Sequence, residues 1–445
     1  MKKILVIGAG RSTVSLITYL LDHAGTYNWQ VTVADMNLDL AKSKITGYPS
    51  ALAIQLDIDN NEQRMQEIQK ADFVVSMLPA FMHLPVIKDC VAAGKHVATA
   101  SYVSAEMMAF DDEAKKKNIL LLNECGLDPG IDHASAMKVI DEIQGQGGEI
   151  TSFKSYCGGL VAPESNDNPW GYKFSWNPRN VVVAGQATAQ YLEDGEIKYI
   201  PYNRIFIQTD TIEVDGSGKY DAYANRDSLS YIHPYKLDTA KTILRGTLRQ
   251  AGYCKAWNVF VKLGLTDDTF TIKNTHATTY TQLLQSFLPN KAGSVKQRLL
   301  DFMGSEADTE TIAMIEWLGF FNDTKIEIAN GTPAQFLQHL LEKKWLLKPH
   351  DKDLVVMQHQ FEIDNSKNKA LPKKIASSLV VTGTDQHYTA MAKTVGLPLA
   401  ICVKNFLTGK YQLSGVQIPI CKEIYLPLLQ ELEQHGISFK EKHSA

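Results

Sequence analysis

The sequence predicts an α/β protein: a doubly wound parallel sheet plus a mixed α+β domain that carries a helical insertion. Three observations predict it. A short apolar strand runs into a glycine turn, a helix, and a second strand ending on a carboxylate. Strand and helix patterns then alternate as far as Asn123. From Glu149 the pattern shifts to strands and hairpins, interrupted by a run of helices.

Lys3–Ile7 is apolar and rich in β-branched residues, as suits a strand buried on both faces. Gly8, Ala9, Gly10, Arg11, Ser12 and Thr13 follow, then Val14, Ile17, Leu20 and Leu21 on one helical face. Gln30–Ala34 reads as the next strand and ends at Asp35. This is the order of a Rossmann-type dinucleotide site. Gly8 would permit the tight turn. Gly10, lacking a Cβ, would admit a pyrophosphate to the backbone at the helix N-terminus. Thr13 stands where that fingerprint has its third glycine. Tight strand-to-helix packing without a nucleotide is the alternative reading of the turn.

Ala51–Gln55, leading to Asp57, then Asp72–Ser76, His96–Thr99 and Leu120–Asn123 are the further strands expected. Helices are expected near Glu62–Gln69, Leu84–Ala93 and Glu106–Lys117. Ligands of such sheets bind beyond the carboxyl ends of the strands. That puts Ser76–Pro79, Thr99–Tyr102 and Glu124–Asp128 on one rim.

The 445 residues suit two or three domains, and 44% hydrophobic content is ample for a core. A net charge of -4 gives no reason to expect nucleic acid as a partner. No apolar run approaches a membrane span, and the first strand leaves no room for a signal peptide. Six scattered cysteines without a C-x-x-C pair fit a reducing cytoplasm and argue against a structural metal.

After Asp132 a helix is expected to run to Gln144. Phe153–Cys157, Tyr191–Ile200 with a turn at Glu193–Gly195, Arg204–Gln208 and Thr242–Leu248 read as strands. Tyr253–Leu263, Tyr280–Phe287, Lys296–Phe302, Thr309–Leu318 and Pro333–Lys344 read as helices. Strands return at Leu354–Ile363 and Ala376–Thr382, and helices at Tyr388–Val395, Leu397–Leu407 and Lys422–Gln434. The expected division is a dinucleotide domain of residues 1–130 completed by 388–445, a substrate and dimerisation domain of 131–262 and 346–387, and a helical insertion of 263–345.

Two segments stand outside these patterns. Tyr156–Trp176 has tandem glycines, little periodicity, and the aromatic residues Tyr156, Trp170, Tyr172, Phe174 and Trp176. It reads as a rigid functional loop, with a structural crossover as the alternative. Gly126–His133 places Asp128 on the rim, and Pro129 and Gly130 end the sixth strand. Asp132 is expected to cap the next helix, and His133 to pack or hydrogen-bond rather than act as a base.

GLDPGIDH and YCGGLVAPESNDNPWGYKFSW together resemble the glutamate-forming saccharopine dehydrogenase family, also called saccharopine reductase. Ala100–Tyr102, Tyr223–Asp227, Ile243–Arg249 and Thr394–Gly396 resemble family segments in the family's order; Thr266–Asn330 resembles it least. The resemblance implies a reversible oxidation at the secondary amine of saccharopine, followed by hydrolysis to glutamate and 2-aminoadipate 6-semialdehyde. It implies a nicotinamide cofactor at Gly8, Gly10, Arg11, Ser12, Thr13 and Asp35, and along Asp57, Ile58, Leu78 and Pro79. Thr99, Ala100, Ser101, Leu127, Asp128 and Pro129 complete that set.

For substrate, the resemblance implies Ser101, Tyr102, Asp128, Phe174, Asn177 and Arg226, with Gly246, Thr247 and Leu248 acting through their backbone. Arg245 and Lys173 are further cations suited to a polyanion. Tyr102, Asp128 and Cys157 match the family's acid–base candidates, and which of them is the base stays open. A homodimer is expected. Some fungal relatives use NADP and carry an arginine just after the second strand. Here Asp35 is followed by Met36 and Asn37, so NAD is expected, with NADP as the alternative. NAD would favour lysine breakdown. The rival readings are a carboxynorspermidine or homospermidine synthase and a nucleotide sensor without catalysis.

Overall fold

The computed structural model describes residues 1–184, 186–306 and 308–444, the side chain of Ser305 excepted. They form two compact units. The first holds Met1–Glu149, Asn365–Leu371 and Leu379–Lys440; the second holds Ile150–Asp364, Pro372–Ser378 and the residues from Glu441 onward.

The strands in chain order are β1 (Lys2–Ile7), β2 (Trp29–Asp35), β3 (Leu52–Gln55), β4 (Phe73–Ser76), β5 (His96–Thr99), β6 (Leu120–Leu122), β7 (Glu149–Val161), β8 (Ala189–Glu193) and β9 (Glu196–Ile200). They continue with β10 (Thr209–Val214), β11 (Gly218–Ala224), β12 (Thr242–Gln250), β13 (Ile272–Lys273), β14 (Asn330–Gly331), β15 (Asp353–Asp364), β16 (Lys374–Thr382), β17 (Gly415–Gln417) and β18 (Lys440–Ser444). The helices are α1 (Val14–Tyr27), α2 (Leu38–Lys44), α3 (Asn61–Lys70), α4 (His83–Ala93), α5 (Ala105–Met108), α6 (Asp111–Lys116), α7 (Ile131–Gly145) and α8 (Pro178–Val182). Then come α9 (Tyr253–Leu263), α10 (Tyr280–Phe287), α11 (Val295–Met303), α12 (Thr309–Leu318), α13 (Pro333–Lys344), α14 (Ala390–Leu407) and α15 (Lys422–Gln434).

The first unit is built on a parallel sheet of order β17-β6-β5-β4-β1-β2-β3. Every residue of β4 is buried, as helices on both faces of a parallel sheet require. The six expected strands are all in it. The seventh comes from the chain's tail, with Gly415 opposite Leu120. The two helices expected at Tyr388–Val395 and Leu397–Leu407 are one helix, α14, which runs on through Pro398. By length and composition α14 passes as a membrane span, with a mean hydropathy of 1.3, contrary to the expectation that no apolar run would; 78% of it is buried as a core helix.

The second unit carries a nine-stranded mixed sheet, of order β10-β11-β12-β7-β15-β16-β18, with β8 on β12 and β9 on β8. β12 is parallel to β7 and antiparallel to β11. Four expectations change here. Tyr156–Val161 is not loop but the second half of β7, where Gly158 packs so close to β12 that a Cβ would stand 2.6 Å from the Leu248 carbonyl oxygen. Arg204–Gln208 is no strand, and the hairpin of β10 and β11 lies just beyond it. α7 falls in the first unit, and the helical segments from 263 to 345 do not separate as a unit. Their apolar faces share one core with Trp170, Tyr172 and Phe174. Trp170 packs against Trp345 at 5.5 Å and donates its indole N–H to the Met314 carbonyl at 2.9 Å. The aromatic segment thus closes a helical core.

Candidate active site

The first unit carries the nucleotide turn and one rim. Gly8 has φ +104°, and a Cβ there would stand 2.7 Å from the Met77 carbonyl oxygen, so the turn admits only glycine. Gly10 is the opposite case: nothing lies within 4 Å of where its Cβ would be. That open backbone, at the start of the turn into α1, is the room a pyrophosphate needs. The buried Thr13 hydroxyl donates to the Gly10 carbonyl at 2.8 Å and closes the turn in place of a third glycine. At the end of β2, Asp35 accepts from the Ala9 N–H at 2.8 Å and the Asn37 N–H at 2.9 Å. The turn, the open backbone and the anchored carboxylate fit a dinucleotide. Arg11 is exposed and Ser12 half-buried.

Asp57 is exposed and accepts from the Asp59 N–H at 3.0 Å. Ile58 is buried, and its carbonyl takes the Arg64 guanidinium. Leu78 and Pro79 lead into the short 3-10 turn Ala80–Met82 ahead of α4.

His83, the first residue of α4, links the rim ends of β4 and β5. Its Nδ1 lies 2.8 Å from Ser76 Oγ and its Nε2 2.8 Å from Ser101 Oγ. The Ser101 N–H donates to Thr99 Oγ1 at 3.2 Å. Burial pushes the His83 imidazole down to about 4, so it is neutral near pH 7. Sequence reasoning missed His83, because a single histidine at a helix start has no periodic or spacing signature.

Beyond Ala100 and Ser101, the Tyr102 hydroxyl donates to Asp128 Oδ1 at 3.2 Å. Asp128 stands in a turn closed by the Gly126 N–H on the Pro129 carbonyl at 2.8 Å. At Gly130, φ is +143°, and a Cβ would fall 2.1 Å from the Gly126 oxygen. Leu127 is buried beneath the turn. Asp132 is not the expected N-cap: Gly130 holds that position, and Asp132, inside the helix, accepts the Gly130 N–H at 2.6 Å. His133 is fully buried, 2.7 Å from Glu124, whose other oxygen accepts the Val103 N–H at 2.9 Å. His133 therefore ties two rim segments together.

In the second unit, β12 and its neighbours hold the other predicted residues. Cys157 is buried on β7 opposite Thr247, and Gly246 is opposite Tyr156. The Thr247 hydroxyl donates to Asn225 Oδ1 at 2.7 Å, and Leu248 is fully buried. Arg245 is buried with its guanidinium 4.0 Å from the Tyr231 ring centre. Arg226 is exposed; its carbonyl accepts the Gln190 N–H at 3.0 Å. Phe174 lies in the aromatic core, 5.4 Å from Trp345, and Asn177 caps α8 by accepting the Arg179 N–H at 3.0 Å. Lys173 is 1% exposed and paired with Asp167 at 2.8 Å and Asp351 at 2.6 Å, so its charge is spent inside the fold. Arg249, not anticipated from sequence, is buried among Tyr172, Tyr223 and Tyr253 and donates to the Tyr223 hydroxyl at 3.2 Å.

Two family models match the chain: the saccharopine dehydrogenase NADP binding domain over residues 4–122 and the saccharopine dehydrogenase C-terminal domain over residues 126–437. Among curated proteins, saccharopine dehydrogenase (NADP(+), L-glutamate-forming) of Pyricularia oryzae is 36% identical over 453 residues, covering 99% of each chain. Among solved structures, apo saccharopine dehydrogenase (L-Glu forming) from Saccharomyces cerevisiae aligns over the whole of both chains, with TM-score 0.88 and 32% identity. Homospermidine synthase from Legionella pneumophila in complex with NAD shares the fold, with TM-score 0.58 and 8% identity over 100% of this chain and 91% of that one.

Proposed function

Because this chain belongs to the saccharopine dehydrogenase family, we propose that it is a glutamate-forming saccharopine dehydrogenase, converting saccharopine reversibly to glutamate and 2-aminoadipate 6-semialdehyde. The observation that carries the reading is the Tyr102–Asp128 hydrogen bond, on the rim of a sheet whose glycine turn fits a dinucleotide. A phenol donating to a carboxylate can hold and pass a proton, and this substrate's secondary amine has one to lose. Asp128 also places a negative charge where a protonated amine would bind. Cys157 is the further proton carrier on this reading. When bound, the nicotinamide accepts hydride from the carbon beside the amine nitrogen. Gly8–Thr13 and Asp35 would hold that cofactor.

Arg226 and Arg245 would meet substrate carboxylates, with the backbone of Gly246–Leu248 beside them. That demand for carboxylates favours saccharopine over a polyamine, and the likeness to homospermidine synthase is one of fold alone. The test is spectrophotometric: saccharopine with NAD and with NADP. Absence of turnover with both would sink the reading.

On cofactor choice we read NAD. Asp35, fixed by two backbone N–H groups, keeps lone pairs for the ribose hydroxyls and repels a 2′-phosphate. The curated relative from Pyricularia oryzae carries NADP(+) in its name, so the comparison of kcat/KM for both cofactors is decisive. Asp35→Ala should weaken NAD use by roughly tenfold to over a hundredfold and narrow its lead over NADP. A wild type that prefers NADP refutes the assignment and turns attention to Arg11.

A further inference from the structure

The imidazole of His83 is 1% exposed, and both its nitrogens are engaged. A neutral imidazole has one donor and one acceptor, so only two arrangements exist. In one, Nδ1 accepts from the Ser76 hydroxyl and Nε2–H donates to Ser101 Oγ. In the other, Nδ1–H donates to Ser76 and Ser101 donates to Nε2. Ser76 decides between them. Its hydroxyl is 1% exposed and has no partner but His83 among the described residues. In the second arrangement the Ser76 proton is buried with no acceptor, which disfavours that arrangement by roughly tenfold to a hundredfold. The first leaves Nε2–H on Ser101, with a longer 3.4 Å branch to Thr99 Oγ1.

Ser101 Oγ then receives a proton and keeps its own O–H. That hydroxyl is half-buried, one residue before Tyr102, and has no other partner among the described residues. A donor hydroxyl held in one orientation on the rim suits an anionic oxygen. We propose that His83 is a positioning residue: by accepting from Ser76 and donating to Ser101, it commits the Ser101 hydroxyl to a carboxylate of the amino-acid substrate. The carboxylate as recipient rests on the function proposed above; the hydrogen-bond order does not.

Two measurements on the full chain test it. A two-bond proton–nitrogen correlation spectrum, with His83→Gln for assignment, should give His83 as the Nε2–H tautomer, unchanged from about pH 6 to about pH 8. The Nδ1–H tautomer would overturn the proposal. In kinetics, Ser101→Ala should raise KM for saccharopine about tenfold, with kcat and the directly titrated cofactor Kd within about twofold. His83→Ala should do the same, and the double variant no more than either, because both remove one interaction. His83→Gln should recover part of the loss, since its carboxamide N–H can replace Nε2–H. If His83→Ala fails to fold, Ser76→Ala keeps the ring and should mix the tautomers, raising KM a few-fold. Additive effects, or a change in cofactor Kd in place of KM, would overturn the proposal. A wild type that turns over no saccharopine overturns the functional reading instead, and the tautomer then judges the hydrogen-bond order alone.

Discussion

At the rim of the first sheet, Asp128 stands in a glycine-bounded turn and Tyr102 stands just beyond the end of β5. In the second unit, Arg245, Gly246, Thr247 and Leu248 lie inside β12, paired on one edge with β7 and on the other with β11. Turn-borne groups are held by a few side-chain hydrogen bonds, so the chemistry can be removed while the sheet stays whole. Strand-borne groups share their backbone with the ladder and their side chains with the core. Charge follows the same division. The Asp128 carboxylate meets a half-exposed phenol, whereas Lys173 and Arg249 are cations sealed in the second unit's interior.

The sharpest break in that comparison is Asp128→Asn. It should lower kcat by about 10²–10⁴-fold, the usual weight of a general acid–base group, while the thermal midpoint stays put. A fall in Tm with kcat intact would make Asp128 a turn residue. Lys173→Met should do the reverse. Leaving Asp351 and Asp167 without their buried cation costs about 3–5 kcal/mol, read as a drop in the urea midpoint. It should also change the acid limb of stability. The Lys173 and Lys348 ammonium groups hold the Asp167 carboxyl down at about 2, below its ordinary 3.8. A depressed carboxyl stabilises the fold fully above its unfolded value, and that share is lost as pH falls through about 2. The Lys173→Met variant should lose less stability than wild type across that window. Arg226→Ala tests the exposed side of the second unit: KM for saccharopine should rise roughly tenfold to over a hundredfold, with KM for the cofactor and Tm little changed.

The same division governed what could be read in advance. β1–β6 were legible because each is a short apolar run between helical stripes, and Asp128 because Pro129 and Gly130 mark its turn. β10 and β11 were not, since TDTIEV and GKYDAYA put charges and small residues where a buried run was sought. The Tyr156–Val161 half of β7 was hidden by Gly158 and Gly159, which carry no side chain to alternate. His83 and Arg249 escaped for another reason. Their surroundings are assembled from several separate elements, and only contact reveals that a neutral imidazole bridges two serines or that three tyrosines enclose a guanidinium. Lys173 looked like a ligand for a polyanion because nothing local shows that Asp351 lies against it.

The tail's contribution to the first sheet bears on how the chain is made. β17 supplies the edge beside β6, and α14 packs against α1 near the N-terminus. During synthesis β1–β6 emerge before the second unit, yet their sheet has an unpaired edge at β6, and α1 has an uncovered apolar face, until β17 and α14 arrive. The second unit, encoded between them, is complete in large part by then. A segment translated after most of the second unit therefore finishes a sheet begun before it, and an exposed strand edge must be kept from wrong partners for the time the ribosome takes to pass from β6 to β17.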